Sequence, residues 1–520
     1  MVPIPAMSTT IAPMTFLEES PNEGRRVDIP AYFMDRFEVS NREFKLFVDT
    51  GGYSTPRYWK QPFVREGREL SWSEALKEFS DSTGHPGPST WRNGSYKTGE
   101  DDYPVSGVSW YEAAAYAEYV GKRLPSYHHW MKVATSGKPY QVLVANFDGQ
   151  PLRRVGEGEC MTVWGTFDMA GNVKEWCWNE REPGRNYLLG GSSTEPAYVF
   201  DFPDAQSPWS RNPGHGFRCI KTIADAPLSP ELDAPYRRST RDFTRDRSIS
   251  DDVFTAYLAT YAYEQIPLEP KVEWEDDSAP QWTSERITIN TVHGKERLPI
   301  DIVIPRGASK PYQAVVYFPG VGAFTGVGVA SGDVRREIIL NSRRVWVYPQ
   351  YHGLYSRTGE NGNRLIYDMN LYPGFVAACV KDFRRTIDYL ETRSDINTKR
   401  VGFLGYSFGA LLAPILLANE PRIHAAVLVS GGIRPSLAPP HVDQVSFAPR
   451  VRIPVLMLNG RYDSLFTEPA QQQLFRLFGT PAEHKRYIVV DAPHTIPTEY
   501  INRELPLWFD RYLGAPAHRR

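Results

Sequence analysis

The chain has 520 residues, 41% hydrophobic and 23% charged, with a formal net charge of −2 at pH 7. That length exceeds a single hydrophobic core and predicts two domains. The near-neutral balance, without a dense Lys/Arg stripe, excludes a general nucleic-acid binder. Four cysteines (Cys160, Cys177, Cys219, Cys379) without CxxC or Cys/His spacing exclude a disulfide scaffold and a zinc cluster. The longest apolar runs fall short of the ~20 residues that span a bilayer, so no membrane partner is expected. The opening MVPIPAMSTT lacks a basic segment followed by an apolar core, which predicts a cytoplasmic protein. Nothing in the pattern sets the oligomeric state.

In the first half tryptophans are dense (Trp59, Trp72, Trp91, Trp110, Trp130, Trp164, Trp176, Trp178, Trp209), strands read as short and loops as long. Helical spacing predicts helices over Asn41–Thr50 and Trp110–Val120, the second N-capped by Ser109 with Glu112 at the capping-box position. From Gly216 to Asp252 the text turns charged and proline-bearing. The expected organisation is residues 1–224 as one domain, 225–247 as a linker and 248–520 as the second domain. A helix is predicted at Asp252–Glu264. Beyond Trp282, strands at Arg286–Thr291, Pro299–Ile304, Ala314–Phe318, Val345–Tyr348, Val401–Leu404, Ala425–Val429, Pro454–Leu458 and Arg486–Val490 alternate with helices at Asp333–Asn341, Gly374–Glu391, Phe408–Asn419 and Glu468–Leu477. Such alternation predicts an α/β domain with a doubly wound, mostly parallel sheet covered on both faces.

Within that half, Gly405-Tyr406-Ser407-Phe408-Gly409 joins an apolar strand to a helix. A G-x-S-x-G turn in this context holds a serine hydroxyl up at the C-terminal edge of the sheet. A hydroxyl is a poor nucleophile at its free pKa, so a base must lie within hydrogen-bond reach. The order Ser, acid, His predicts Asp463, just past the strand PVLML, and His494, just past RYIVV. Asp491 and Glu468 are the rival acids, and His484 precedes the last strand. Oxyanion donors are expected from the backbone N–H of Phe408 and, on the loop after YFPG, of Val321. Gly320 would let backbone approach the substrate there. The segment from Tyr348 to Arg357 carries Tyr351 and His352, expected to line the pocket.

On YFPG, KDFRRTIDYLETRSDI, GYSFGA, NGRYD and DAPHTIP, the stretch from about Ser248 to Leu513 resembles the α/β-hydrolase superfamily, particularly its dienelactone-hydrolase, acetyl-xylan-esterase and prolyl-oligopeptidase-like branches. The resemblance implies a serine hydrolase with Ser407 as nucleophile, His494 as base and Asp463 as orienting acid, acting on a small-molecule or polymer-linked carboxylic ester without a cofactor. An oligopeptidase-type peptidase, or a ligand-binding or signalling protein with a vestigial hydrolase half, are the competing readings.

FEVSNREFKLFVDTGGY, YPVSGVSWYEAAAYAEYVGKRLP, FDMAGNVKEW, LLGGSS and GFRC, in that order from Met1 to about Lys221, resemble the formylglycine-generating-enzyme family, a C-type-lectin-like α+β fold. That resemblance implies two active-site cysteines shortly after the GGS turn, but here no cysteine lies between Cys177 and Cys219. A non-catalytic module is therefore expected. The resemblance also implies a structural calcium held by Asp168, Glu175 and the backbone carbonyls of Gly171 and Val173. The alternative is a metal-free turn stabilised by Asp168 and Asn172.

Overall fold

A computed structural model describes residues 1–10, 26–136, 138–201, 203–223, 230–236, 241–293, 296–325, 334–359, 362, 364–463 and 465–516. The chain divides into two compact units, Met1–Ser239 and Thr240–Arg520, a boundary inside the charged 225–247 stretch. The described residues of that stretch are packed parts of one unit or the other. In the first, the helix Pro230–Asp233 pairs Asp233 with Arg123, and Asn179 donates to the carbonyls of Leu232 and Ala234. In the second, Arg241 pairs with Asp246 and Asp443.

The first unit is built from small sheets and aromatic packing. Its largest sheet has four strands, in the order His215–Gly216, Lys174–Glu182, Arg185–Leu189, Asp204–Gln206. A three-stranded sheet joins Val2–Ile4, Tyr32–Met34 and Ile220–Thr222. Strands this short bury little on their own, and the core is filled by rings instead. Trp91, Trp130 and Trp176 are fully buried, and Phe44, Phe47, Tyr53, Phe79 and Phe217 pack around the helices Asn41–Asp49 and Trp110–Tyr119. Each large ring removed from water contributes about 1.5–3 kcal/mol. The predicted capping box at Ser109 and Glu112 is present, and Glu112, fully buried, also accepts from Tyr53 and Arg211. Further boxes join Ser40 with Glu43 and Ser71 with Glu74, and one uses His129 as the N3 partner of Ser126.

The second unit holds a nine-stranded sheet. Its strands are β1 Lys271–Asp276, β2 Trp282–Asn290, β3 Arg297–Pro305, β4 Tyr312–Phe318, β5 Val345–Pro349, β6 Ile396–Tyr406, β7 Ala425–Val429, β8 Val455–Gly460 and β9 Lys485–Val490. They lie in the order β1-β2-β3-β5-β4-β6-β7-β8-β9. The first three pairings are antiparallel and the remaining five are parallel. Strand β7 is buried along its whole length, as expected where a parallel sheet is covered on both faces. The helix Phe408–Asn419, apolar on nearly every side, is correspondingly buried. Parallel pairing brings the C-terminal ends of β4 and β6 to β9 to one edge, where the loops carrying Gly320, Ser407, Ser430, Asp463 and His494 begin. Among the described residues no helix is long and apolar enough to cross a membrane.

Candidate active site

Ser407 sits between β6 and the helix Phe408–Asn419 with φ 51° and ψ −106°. This left-handed backbone is strained for a residue with a Cβ, and such strain persists only where neighbours over-determine it. The Ser407 N–H donates to the Val429 carbonyl at 2.8 Å, and the Gly409 N–H to Pro319 at 3.0 Å. The flanking glycines are required by close approach. A Cβ on Gly405 would lie 2.7 Å from the Gly409 carbonyl oxygen, and one on Gly409 would lie 2.2 Å from that of Phe318.

The structure brings Ser407, His494 and Asp463 together. His494 Nε2 is 2.8 Å from Ser407 Oγ, and His494 Nδ1 is 2.8 Å from Asp463 Oδ2. An ionised carboxylate only accepts, so Nδ1 carries the proton and Nε2 presents its lone pair to the serine hydroxyl. The second carboxylate oxygen of Asp463 accepts the N–H groups of Leu465 and Phe466, each at 2.9 Å, which fixes the rotamer. All three side chains are buried, with His494 the most accessible at 8%. Of the rival acids, Asp491 is exposed and pairs with Arg461, and Glu468 opens the helix Glu468–Leu477.

Gly320 packs directly on the nucleophile: a Cβ there would sit 3.3 Å from Ser407 Cβ. Val321 begins the turn Val321–Thr325, and Phe408 begins the helix after Ser407, so both expected donors lie on segments bordering the serine. Phe318, Phe324 and Phe375 surround the Phe408 ring at centroid distances of 6.3, 5.5 and 6.0 Å. Tyr351 is fully buried, stacked on Phe318 at 4.1 Å, with its hydroxyl donating to the Tyr317 carbonyl. It therefore braces the end of β4. The contacts of His352 run to a separate charged cluster. Its N–H donates to Asp382, and its ring lies beside His293 and 3.8 Å from Glu296, where burial lowers its pKa. Fully buried Asp382 also accepts from Arg357 at 2.6 Å and faces His293 at 2.8 Å.

In the first unit the expected calcium donors are differently engaged. Both Glu175 oxygens are held by Arg218, Nε at 2.7 Å and Nη2 at 2.6 Å, and the Trp130 N–H adds a third donor at 2.7 Å. Asp168 accepts the Gly156 N–H at 2.8 Å, and the Gly171 N–H donates to Gly190. Val173 lies in the buried sheet entry beside Gly216. A guanidinium already neutralises Glu175, so this donor set does not fit a divalent cation. Among the described residues no group of three or more His, Cys, Asp or Glu side chains could hold a metal. Burial pushes the Cys177 and Cys219 thiols well above their ordinary range.

Sequence reasoning missed Ser430, Asn459, Gln471 and Asp382. Ser430 and Asn459 lie at or just beyond the ends of β7 and β8, at the edge carrying Ser407, and Gln471 lies on the helix Glu468–Leu477, from which its amide donates to the carbonyl of Gly460, the last residue of β8. Asp382 is a carboxylate on the buried face of the helix Tyr372–Glu391.

Fold and site together define the second unit as an α/β-hydrolase-like domain with an assembled Ser-His-Asp hydrogen-bonded chain. Residues 346–494 match the dienelactone hydrolase family, and residues 4–223 match the sulfatase-modifying factor enzyme 1-like domain. The chain thus carries a formylglycine-generating-enzyme-like domain followed by a hydrolase domain of the dienelactone hydrolase family. It is 32% identical over 186 residues to hercynine oxygenase of Mycobacterium tuberculosis, covering 31% of this chain and 41% of that protein. With the formylglycine-generating enzyme of Bos taurus it shares 38% identity over 149 residues, 25% of this chain and 38% of that one. The chain therefore spans about two fifths of the length of these curated relatives. Acetyl xylan esterase 1 from Thermoanaerobacterium sp. is similar in structure at 14% identity and a TM-score of 0.41, covering 52% of this chain and 96% of that one.

Proposed function

We propose that the second unit is a serine esterase that cleaves a carboxylic ester through an acyl-enzyme. The observation that carries this reading is the continuous chain from Ser407 Oγ through His494 to Asp463, with both hydrogen bonds at 2.8 Å. Ser407 Oγ attacks the ester carbonyl while His494 Nε2 takes its proton. The oxyanion is met by the N–H groups of Phe408 and Val321, and the imidazolium, stabilised by Asp463, returns the proton to the leaving alkoxide. Water, activated by the same histidine, then releases the acid and restores Ser407. No cofactor enters this sequence. The aromatic wall of Phe318, Phe324, Phe375 and Phe408 beside the nucleophile suits the apolar part of a small-molecule or polymer-linked ester.

The first unit, in this reading, is non-catalytic. Cys177 and Cys219 are buried and their thiols held protonated, and no other cysteine lies between them. Replacing Ser407 with Ala tests the whole proposal. Removing a triad nucleophile lowers kcat by up to ~10⁶, so hydrolysis of p-nitrophenyl acetate by the purified chain should disappear, together with covalent labelling by a fluorophosphonate. Turnover persisting in the variant at the wild-type level would refute the assignment.

A further inference from the structure

His494 must stay between Ser407 and Asp463 while its charge changes, and two side-chain hydrogen bonds do not fix the backbone that carries it. Ser430, the first residue after β7, is fully buried, and its Oγ donates to the main-chain carbonyl of His494 at 2.6 Å. Its own N–H donates to Leu458 at 2.9 Å, which clamps it against β8. Its φ is 53°, the left-handed region that disfavours a residue with a Cβ. Glycine would adopt that backbone without strain, yet a serine stands there, and what it adds is the hydroxyl. The surrounding strand ends are similarly tied. Asn459 donates to the Gly431 carbonyl at 2.7 Å, and Gln471 to those of Gly460 and Phe466. Of these bonds, the one from Ser430 ends on the histidine itself.

We infer that Ser430 is a positioning residue for His494, holding the imidazole in register with the nucleophile; this rests on the esterase reading above. Small displacements of a reacting group cost large factors in rate, about 10²-fold for 1 Å. The test uses the full-length chain with Ser430→Gly, which removes the hydroxyl while relieving the backbone, and Ser430→Ala beside it. With p-nitrophenyl acetate the glycine variant should lose roughly 10- to 100-fold in kcat with KM within about twofold. Fluorophosphonate labelling of Ser407 should slow by the same factor, since it too needs an aligned base. In a His494→Ala background the same substitution should leave the residual turnover unchanged, because there is no longer an imidazole to position. A glycine variant with wild-type kcat would overturn the inference. So would an equal loss in the His494→Ala background, which would mark a packing role. Wild-type turnover by Ser407→Ala would instead overturn the esterase reading, and this inference with it.

Discussion

Replacing Asp463 with Asn tests the site more sharply than removing the nucleophile, because the structure dictates which way the new amide must point. Asp463 Oδ1 accepts two buried N–H groups, those of Leu465 and Phe466, while Oδ2 faces His494 Nδ1. In the Asn variant the side-chain carbonyl has to stay with the two backbone donors. Turning the NH₂ toward them would strand both, at about 1–3 kcal/mol each. The NH₂ therefore faces Nδ1, which can then only accept, and the proton moves to Nε2. That nitrogen can no longer take a proton from Ser407. The same wrong-tautomer change in a serine protease lowers kcat by about 10⁴, roughly 5.5 kcal/mol of barrier at about 1.36 kcal/mol per decade.

Asp463→Ala should behave differently. It leaves Nδ1 free to keep its proton, so it should retain more kcat than the Asn variant, yet it orphans the two N–H groups and should be the less stable of the two by about 2–6 kcal/mol. Rates with p-nitrophenyl acetate and urea titrations on both variants measure the two effects separately. If the Asn variant kept more than a tenth of wild-type kcat, or outran the Ala variant, the assigned hydrogen-bond chain would not be the one that works.

Gly460→Ala should cost at least tenfold in kcat, because its Cβ would fall 2.0 Å from the Pro493 carbonyl oxygen and push the loop carrying His494; wild-type kinetics would refute this. Arg218→Met should destabilise the first unit by about 3–5 kcal/mol in a denaturant titration, since it strands buried Glu175 beside Glu38 and Asp168; a loss below about 1 kcal/mol would refute it. Acid should weaken the same unit. Burial first, with the Arg123 charge beside His129 and that of Lys174 beside His215, lowers the pKa of His128 to about 4 and of His129 and His215 to about 3. The unfolded chain, with ordinary histidines near 6.5, then binds protons the folded unit refuses. Stability is full above about pH 6.5 and falls toward pH 4, by up to about 1.4 kcal/mol per pH unit for each histidine. Tryptophan-fluorescence melts at pH 7 and pH 5 measure this, and equal melting temperatures would refute it.

What could be read from the sequence follows the range of each interaction. The strands β4 to β8 were legible because burial makes the greater part of each a continuous apolar run, and β9, half-buried at the edge of the sheet, because it ends on Ile488-Val489-Val490. Ser407, Asp463 and His494 were legible because each follows the end of such a run. Strand β1 was not legible: in Lys271–Asp276 only Val272 and Trp274 alternate with charged residues, too short a pattern to mark a strand, and both are exposed, so pairing with β2 rather than burial makes it one. Glu175 shows the same limit at a site. Within FDMAGNVKEW it reads as a cation ligand, and it does bind a cation, but that cation is the guanidinium of Arg218, 43 residues further on. Local spacing can propose that a buried carboxylate needs a positive partner; it cannot say which part of the chain supplies it. Ser430 is the extreme case. As text it opens an ordinary Ser-Gly-Gly loop, whose glycines explain a turn without any need for the serine. Its hydroxyl and its strained backbone become intelligible only against the carbonyl of His494, 64 residues away.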